Sequence, residues 1–239
     1  VPVTGGEALN ITAENEAWDG SPVYSPDGRY IAYRMQTVPG YESDRFRLAI
    51  YDRQTKQKTV LTEDFDNWVD DYKWSKNSRT IYFLGEETGY QPLFKLDVKS
   101  HKITKVIADR AISAFDIDDA GTAYYTYSTT GKPTALYRQS TGKKQTEQQL
   151  TFLNKDLEAE VDIRPSETMW VTGADGDRVE VFIVKPHDFD QSKKYPLIIN
   201  VHGGPQMQWM NSFRGDWQIY PGAGYIVAYP NPHGSTGYG

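Results

Sequence analysis

The sequence predicts a mainly β fold that becomes α/β in its last third. Three features carry this expectation. A hairpin pattern recurs three times before Asn154, two alternating strands follow it, and a strand, a crossover and a second apolar strand occupy the remainder.

The repeat comes first along the chain. VYSPDGRYIAYRM (Val23 to Met35), YKWSKNSRTIYFL (Tyr72 to Leu84) and FDIDDAGTAYYTY (Phe115 to Tyr127) each show an apolar entry, a polar turn and an alternating aromatic or aliphatic run. In the first copy Pro26 presets its backbone angle, Asp27 can bond its own backbone, and Gly28 supplies a left-handed conformation. A second hairpin follows each copy, at Arg47 to Thr62, Pro92 to Ile107 and Thr134 to Thr151. Ser25 to Ser75 spans 50 residues and Ser75 to Asp118 spans 43. Four short strands every 40–50 residues is about the period of a β-propeller blade. GGEALNIT (Gly5 to Thr12) reads as the closing strand of an earlier blade, so residues 1–158 are expected to hold about three blades and a partial one. That is too few to close a ring, and the chain reads as an interior piece of something longer.

The pattern changes after Asn154, and residues 159–239 form the second region. Glu167 to Thr172 and Arg178 to Lys185 alternate and are joined by the turn Gly173-Ala174-Asp175-Gly176-Asp177. Pro196 to Val201 is a continuous apolar run, expected to be covered on both faces. Gly224 to Pro230 is a second such strand. The stretch from Gln206 to Ala223 leaves room for a crossover helix whose length Pro221 limits.

The composition excludes several classes of function. The 239 residues are 38% hydrophobic and 24% charged, with a formal net charge of -6 and the two signs interspersed. Neither a nucleic-acid footprint nor a polybasic membrane surface is present, and no apolar window is long enough to span a bilayer. The absence of cysteine removes disulfides, thiol nucleophiles and Cys-ligated metals. Val1 to Thr4 lacks the features of a signal peptide, and the compartment, periplasmic, secreted or cytoplasmic, stays open. There is no H-E-x-x-H, Walker loop or complete G-x-G-x-x-G.

Chemistry is concentrated in PLIINVHGGPQMQWM (Pro196 to Met210). An HGGG-type loop after a central strand supplies one backbone N–H of the oxyanion hole in α/β hydrolases. A donor fixed where charge develops costs no reorganisation in the transition state. Gly204 is the expected donor, because a peptide without a Cβ can approach a tetrahedral intermediate closely. His202, Gly203 and Pro205 are expected to organise the loop. The alternative, that the two glycines only turn the chain out of the strand, stays open on these residues alone. HGSTG (His233 to Gly237) lacks the leading glycine of a G-x-S-x-G elbow, so Ser235 is not expected to be a nucleophile.

LIINVHGGP, the preceding KPHDFDQSKKYP and the final GYIVAYPNPHGSTGYG together resemble the prolyl oligopeptidase family of serine peptidases, in its dipeptidyl-peptidase 5 and acylaminoacyl-peptidase branch. The YSPDGRYIAY-type repeats resemble the propeller of that family. The resemblance implies a seven-bladed propeller capping an α/β-hydrolase domain, and hydrolysis of oligopeptides through an acyl-enzyme on a Ser-Asp-His triad. By the family's order all three triad residues lie beyond Gly239, so the chain alone is expected to be inactive. The resemblance implies an oligopeptide substrate and neither a metal nor a cofactor, and homodimerisation of the parent stays open. The competing expectation is a TolB-like propeller that binds peptide or protein without catalysis.

One position departs from the family pattern, with His233 where arginine is common. A histidine offers neither the permanent charge nor the planar fork of donors. Trp18, Trp68 and Trp74 are expected to pack between blades, and Glu63, Asp64, Asp66, Asp70 and Asp71 to form a solvated acidic loop.

Overall fold

The computed structural model describes residues 3–142, 146–204 and 206–239. Its strands form four sheets of four strands each. Three are antiparallel meanders with neighbours in chain order. The first holds β1 (Asp19–Tyr24), β2 (Tyr30–Met35), β3 (Arg47–Asp52) and β4 (Lys58–Val60). The second holds β5 (Val69–Trp74), β6 (Thr80–Gly85), β7 (Leu93–Asp97) and β8 (Ile103–Ile107). The third holds β9 (Ala111–Ile117), β10 (Thr122–Thr129), β11 (Lys132–Ser140) and β12 (Gln148–Gln149).

The repeated turn is the same object in each sheet. Gly28, Ser78 and Gly121 all take positive φ, and their N–H groups donate to Ser25 O, Ser75 O and Asp118 O at 2.8, 3.0 and 3.0 Å. The side chains of Ser25, Ser75 and Asp118 then accept from the backbone N–H that starts the next strand, at Tyr30, Thr80 and Thr122. A short polar side chain satisfying a local donor is why this position is Ser or Asp in every copy.

The sheets stack because alternate residues on each strand face opposite sides. On β6, Ile81 and Phe83 pack with Leu48, Ile50 and Leu61 of the first sheet. Tyr82 and Leu84 face the other way, onto Phe115, Tyr125 and Tyr137 of the third. Trp74 stacks on Tyr30 across two sheets at 6.2 Å and Trp68 meets Phe46 of the first repeat edge-on, whereas Trp18 packs edge-on against Phe46 within its own repeat. Part of the expected acidic loop is tied down, since Glu63 pairs with Arg45 and Arg47, and Asp70 with Arg34.

The fourth sheet is mixed, in the order β13-β14-β16-β15. It comprises β13 (Glu167–Thr172), β14 (Arg178–Val184), β15 (Leu197–Ile199) and β16 (Ile226–Asn231), with β15 and β16 parallel. A short helix, α1 (Lys155–Glu160), precedes this sheet, and α2 (Asp216–Gly222) makes the crossover. Pro221 sits in the last turn of α2, where the helix stops as expected. Trp217 from α2 is fully buried and stacks on Tyr229 at 3.7 Å, inside a cluster with Phe182, Trp209 and Val227.

Two expectations are corrected. Gly5 to Thr12 is not a strand: it pairs with no strand among the described residues, and Gly5 and Gly6 take positive φ. The apolar run Pro196 to Val201 is not covered on both faces. Its strand, β15, is an edge of the sheet: Ile198 packs on the Phe182–Trp217 cluster while Leu197 and Ile199 are 56% and 61% exposed.

Candidate active site

The His202 loop leaves the carboxyl end of β15. Gly204 has φ of 68°, a left-handed conformation that strains any residue with a Cβ. Nothing lies within 4 Å of the place its Cβ would take. The demand for glycine at this position is therefore one of backbone conformation. Gly204 is exposed and, among the described residues, its N–H donates to no partner. Gly203 is also exposed, His202 is half-buried, and Pro205 lies outside the described residues.

His202 Nε2 lies 2.9 Å from Ser235 Oγ. Ser235 is buried, and its hydroxyl lies within hydrogen-bond distance of Pro232 O as well, at 2.7 Å. His202 Nδ1 lies 3.3 Å from Gly203 O. The pair thus clamps the loop after β15 to the loop after β16.

A second clamp joins the same two loops and was not foreseen from the sequence. Asn231 is almost fully buried; its Oδ1 accepts from Trp209 N–H at 2.6 Å and its Nδ2 donates to Trp209 O at 3.0 Å. Nδ2 also lies 2.6 Å from the Tyr238 hydroxyl, which donates to Glu180. Burial pushes the Glu180 carboxyl above its ordinary range, against the opposing effect of the Tyr238 donor. Burial, then the Glu180 charge, raises the Tyr238 phenol in turn. The only sequence signal was the Asn-Pro pair in the final motif.

Glutamine and asparagine side chains fasten this region to the meander sheets. Gln208 Oε1 accepts from Gly89 N–H at 2.8 Å, and Asn211 Oδ1 accepts from Thr130 N–H at 2.9 Å. Gln218 spans Thr130 O and both backbone groups of Arg164. Burial also raises the Glu86 carboxyl, which lies beside Gln208.

Between the meander sheets and the fourth sheet lies a cleft of about 940 Å³. Its walls include Trp68 and Arg47 on one side, and Trp170, Arg178, His233 and Tyr238 on the other. Gln206 and Ser235 reach it, whereas Gly203 and Gly204 lie beside it and do not line it. His233 is largely exposed and pairs with Asp177 at 3.0 Å. Among the described residues no group of three or more His, Cys, Asp or Glu side chains is arranged to hold a metal ion.

The comparisons with known proteins agree on one group. A dipeptidyl-peptidase 5 of Porphyromonas gingivalis is 33% identical over 242 residues, which is 99% of this chain and 35% of that protein. The chain is similar to dipeptidyl-peptidase 5. The Schizosaccharomyces pombe dipeptidyl-peptidase 5 is 30% identical over 226 residues, 92% of this chain and 32% of that protein. Among solved structures, the Pyrococcus horikoshii acylaminoacyl peptidase matches with a TM-score of 0.76 and 25% identity, over 89% of this chain and 32% of its own. A Mycobacterium tuberculosis puromycin-hydrolyzing peptidase shares the fold with a TM-score of 0.62 at 15% identity. No family model matches the chain. It spans about a third of the length of the curated relatives it matches, and the likeness to peptidases that the motifs carried is shown by these relatives.

Proposed function

We propose that this chain is part of a serine exopeptidase of the prolyl oligopeptidase family. The whole protein hydrolyses oligopeptides from their N-terminal end, as a dipeptidyl- or acylaminoacyl-peptidase, through an acyl-enzyme. Residues 1–158 serve as propeller blades and residues 159–239 as the first part of an α/β-hydrolase domain. The Ser-Asp-His triad is supplied by polypeptide beyond Gly239. Substrate enters the cleft between the meander sheets and the fourth sheet.

The observation that carries the reading is the N–H of Gly204, which has no partner among the described residues, on a left-handed turn at the carboxyl end of a parallel strand. Ligands of open α/β sheets bind at the carboxyl ends of the strands. In this role Gly204 donates to the oxyanion of the tetrahedral intermediate. The clamps His202–Ser235 and Asn231–Trp209 hold the loop, so the donor costs no reorganisation when charge develops.

The test is Gly204→Val in the full-length protein that carries this chain. Valine keeps the N–H but is strained at this positive φ, so the donor moves out of place, and kcat falls by about a hundredfold to a thousandfold with KM little changed. Turnover of dipeptidyl and acyl-aminoacyl chromogenic substrates at the wild-type rate would sink the assignment. Residues 1–239 expressed alone are expected not to react with a fluorophosphonate probe, and clean labelling would place the nucleophile inside them.

A further inference from the structure

The register of the β13–β14 hairpin places a cation and an aromatic ring together on the cleft wall. Side chains two apart on a strand share a face, so Arg178 and Glu180 stand on the same side of β14. Across the hairpin Thr172 is opposite Arg178 and Trp170 is opposite Glu180. All four side chains therefore occupy one face. The Arg178 guanidinium lies over the Trp170 indole, 4.6 Å from its centroid, and Tyr238 meets the same indole edge-on at 6.1 Å. Tyr238 is itself held by Glu180 and Asn231. The platform beneath the guanidinium is thus anchored by a chain of bonds that ends in buried groups.

The other charges near this cleft are largely spoken for. Arg47 pairs with Asp44 at 3.2 Å, Arg45 with Glu63 at 3.6 Å, Glu87 with Lys105, and His233 with Asp177 at 3.0 Å. Arg178 is exposed and lines the cleft, and among the described residues its side chain makes neither an ion pair nor a hydrogen bond. A stacked guanidinium keeps its donors in a fixed fork that matches a carboxylate.

We propose that Arg178, on its Trp170 platform, is a subsite for a carboxylate of the bound peptide. The carboxylate belongs either to an acidic side chain or to the C-terminus of a short peptide. The inference rests on the peptidase reading for its ligand class.

Its test separates the two. Three tetrapeptides are compared by calorimetry: a free acid, its C-terminal amide, and that amide with one glutamate introduced. The full-length protein is first treated with diisopropyl fluorophosphate to silence any active serine. At least one of the two peptides carrying a carboxylate is expected to bind the wild type about tenfold more tightly than the neutral amide. Which one does so distinguishes side chain from C-terminus. Arg178→Met, which keeps the aliphatic stem, loses the preference, and Arg178→Lys keeps part of it. In the untreated protein the same substitution raises KM for the preferred peptide and leaves kcat unchanged.

Equal binding of all three peptides by the wild type, no binding of any, or a preference that survives Arg178→Met would each overturn the subsite. An intact preference in a protein that hydrolyses none of the peptides would leave the subsite standing and remove the peptidase reading.

Discussion

Asn231→Ala tests whether the two loops of the candidate site are locked by one side chain. Asn231 is 3% exposed and makes three bonds: from Trp209 N–H at 2.6 Å, to Trp209 O at 3.0 Å, and to the Tyr238 hydroxyl at 2.6 Å. Alanine removes all three partners at once. The Trp209 N–H and C=O are left without them, and each orphaned buried group costs about 1–3 kcal/mol. Taking the low end for each backbone group, with a smaller contribution from Tyr238, which keeps Glu180, the sum is about 2–3 kcal/mol, and at about 2–4 °C per kcal/mol the melting temperature falls by about 4–12 °C. Urea unfolding followed by tryptophan fluorescence should show a lower midpoint with an unchanged slope.

Asn231→Asp sharpens the test. It keeps the acceptor for Trp209 N–H but turns the donor into a second oxygen facing a carbonyl, and its charge adds to the buried acidic group at Glu180. A protonated carboxyl restores one donor, so the gap to wild type should narrow as pH falls. An Asn231→Ala protein within about 0.5 kcal/mol of wild type, the range of an ordinary surface change, would refute the clamp.

Two further outcomes follow from the same region. Burial raises the Glu180 pKa in the folded chain, so the native state holds more protons than the unfolded state above the ordinary value of 4.5. Stability contributed by that proton is present at acid pH and is lost as pH rises through the raised pKa, so Glu180→Gln should flatten this fall in a pH series of urea midpoints. An unchanged pH profile would show that Glu180 is ordinary in both states. Gly89→Ala should be severe: φ is +71° and a Cβ would stand 2.3 Å from the ring of Phe182, which is fully buried. Strain plus overpacking predicts a loss of about 3 kcal/mol or more, and a urea midpoint near that of wild type would show that the ring can move aside.

Much of the architecture was legible in the chain because it rests on local rules. The S/D-x-x-G-like turns, the alternation on β2, β6 and β10, and the four-strand period are short-range features, and the three meander sheets follow from them. The HGG loop was legible for the same reason, since left-handed glycine and strand end are adjacent in sequence. Failure came where burial depends on neighbours. An apolar run such as Leu197 to Ile199 states that a strand exists, but how much of it is covered depends on which elements pack beside it, and in this chain only β16 pairs with it.

The repeat, the order of the elements and the motif that carries the candidate donor are each set by residues close together in the chain. The pairings His202–Ser235, Asn231–Trp209 and Tyr238–Glu180, and the placing of Arg178 on Trp170, come only with the folded chain. These depend on which strands become neighbours and on which face each side chain leaves. In a mixed sheet, long-range hydrogen bonding and burial settle both.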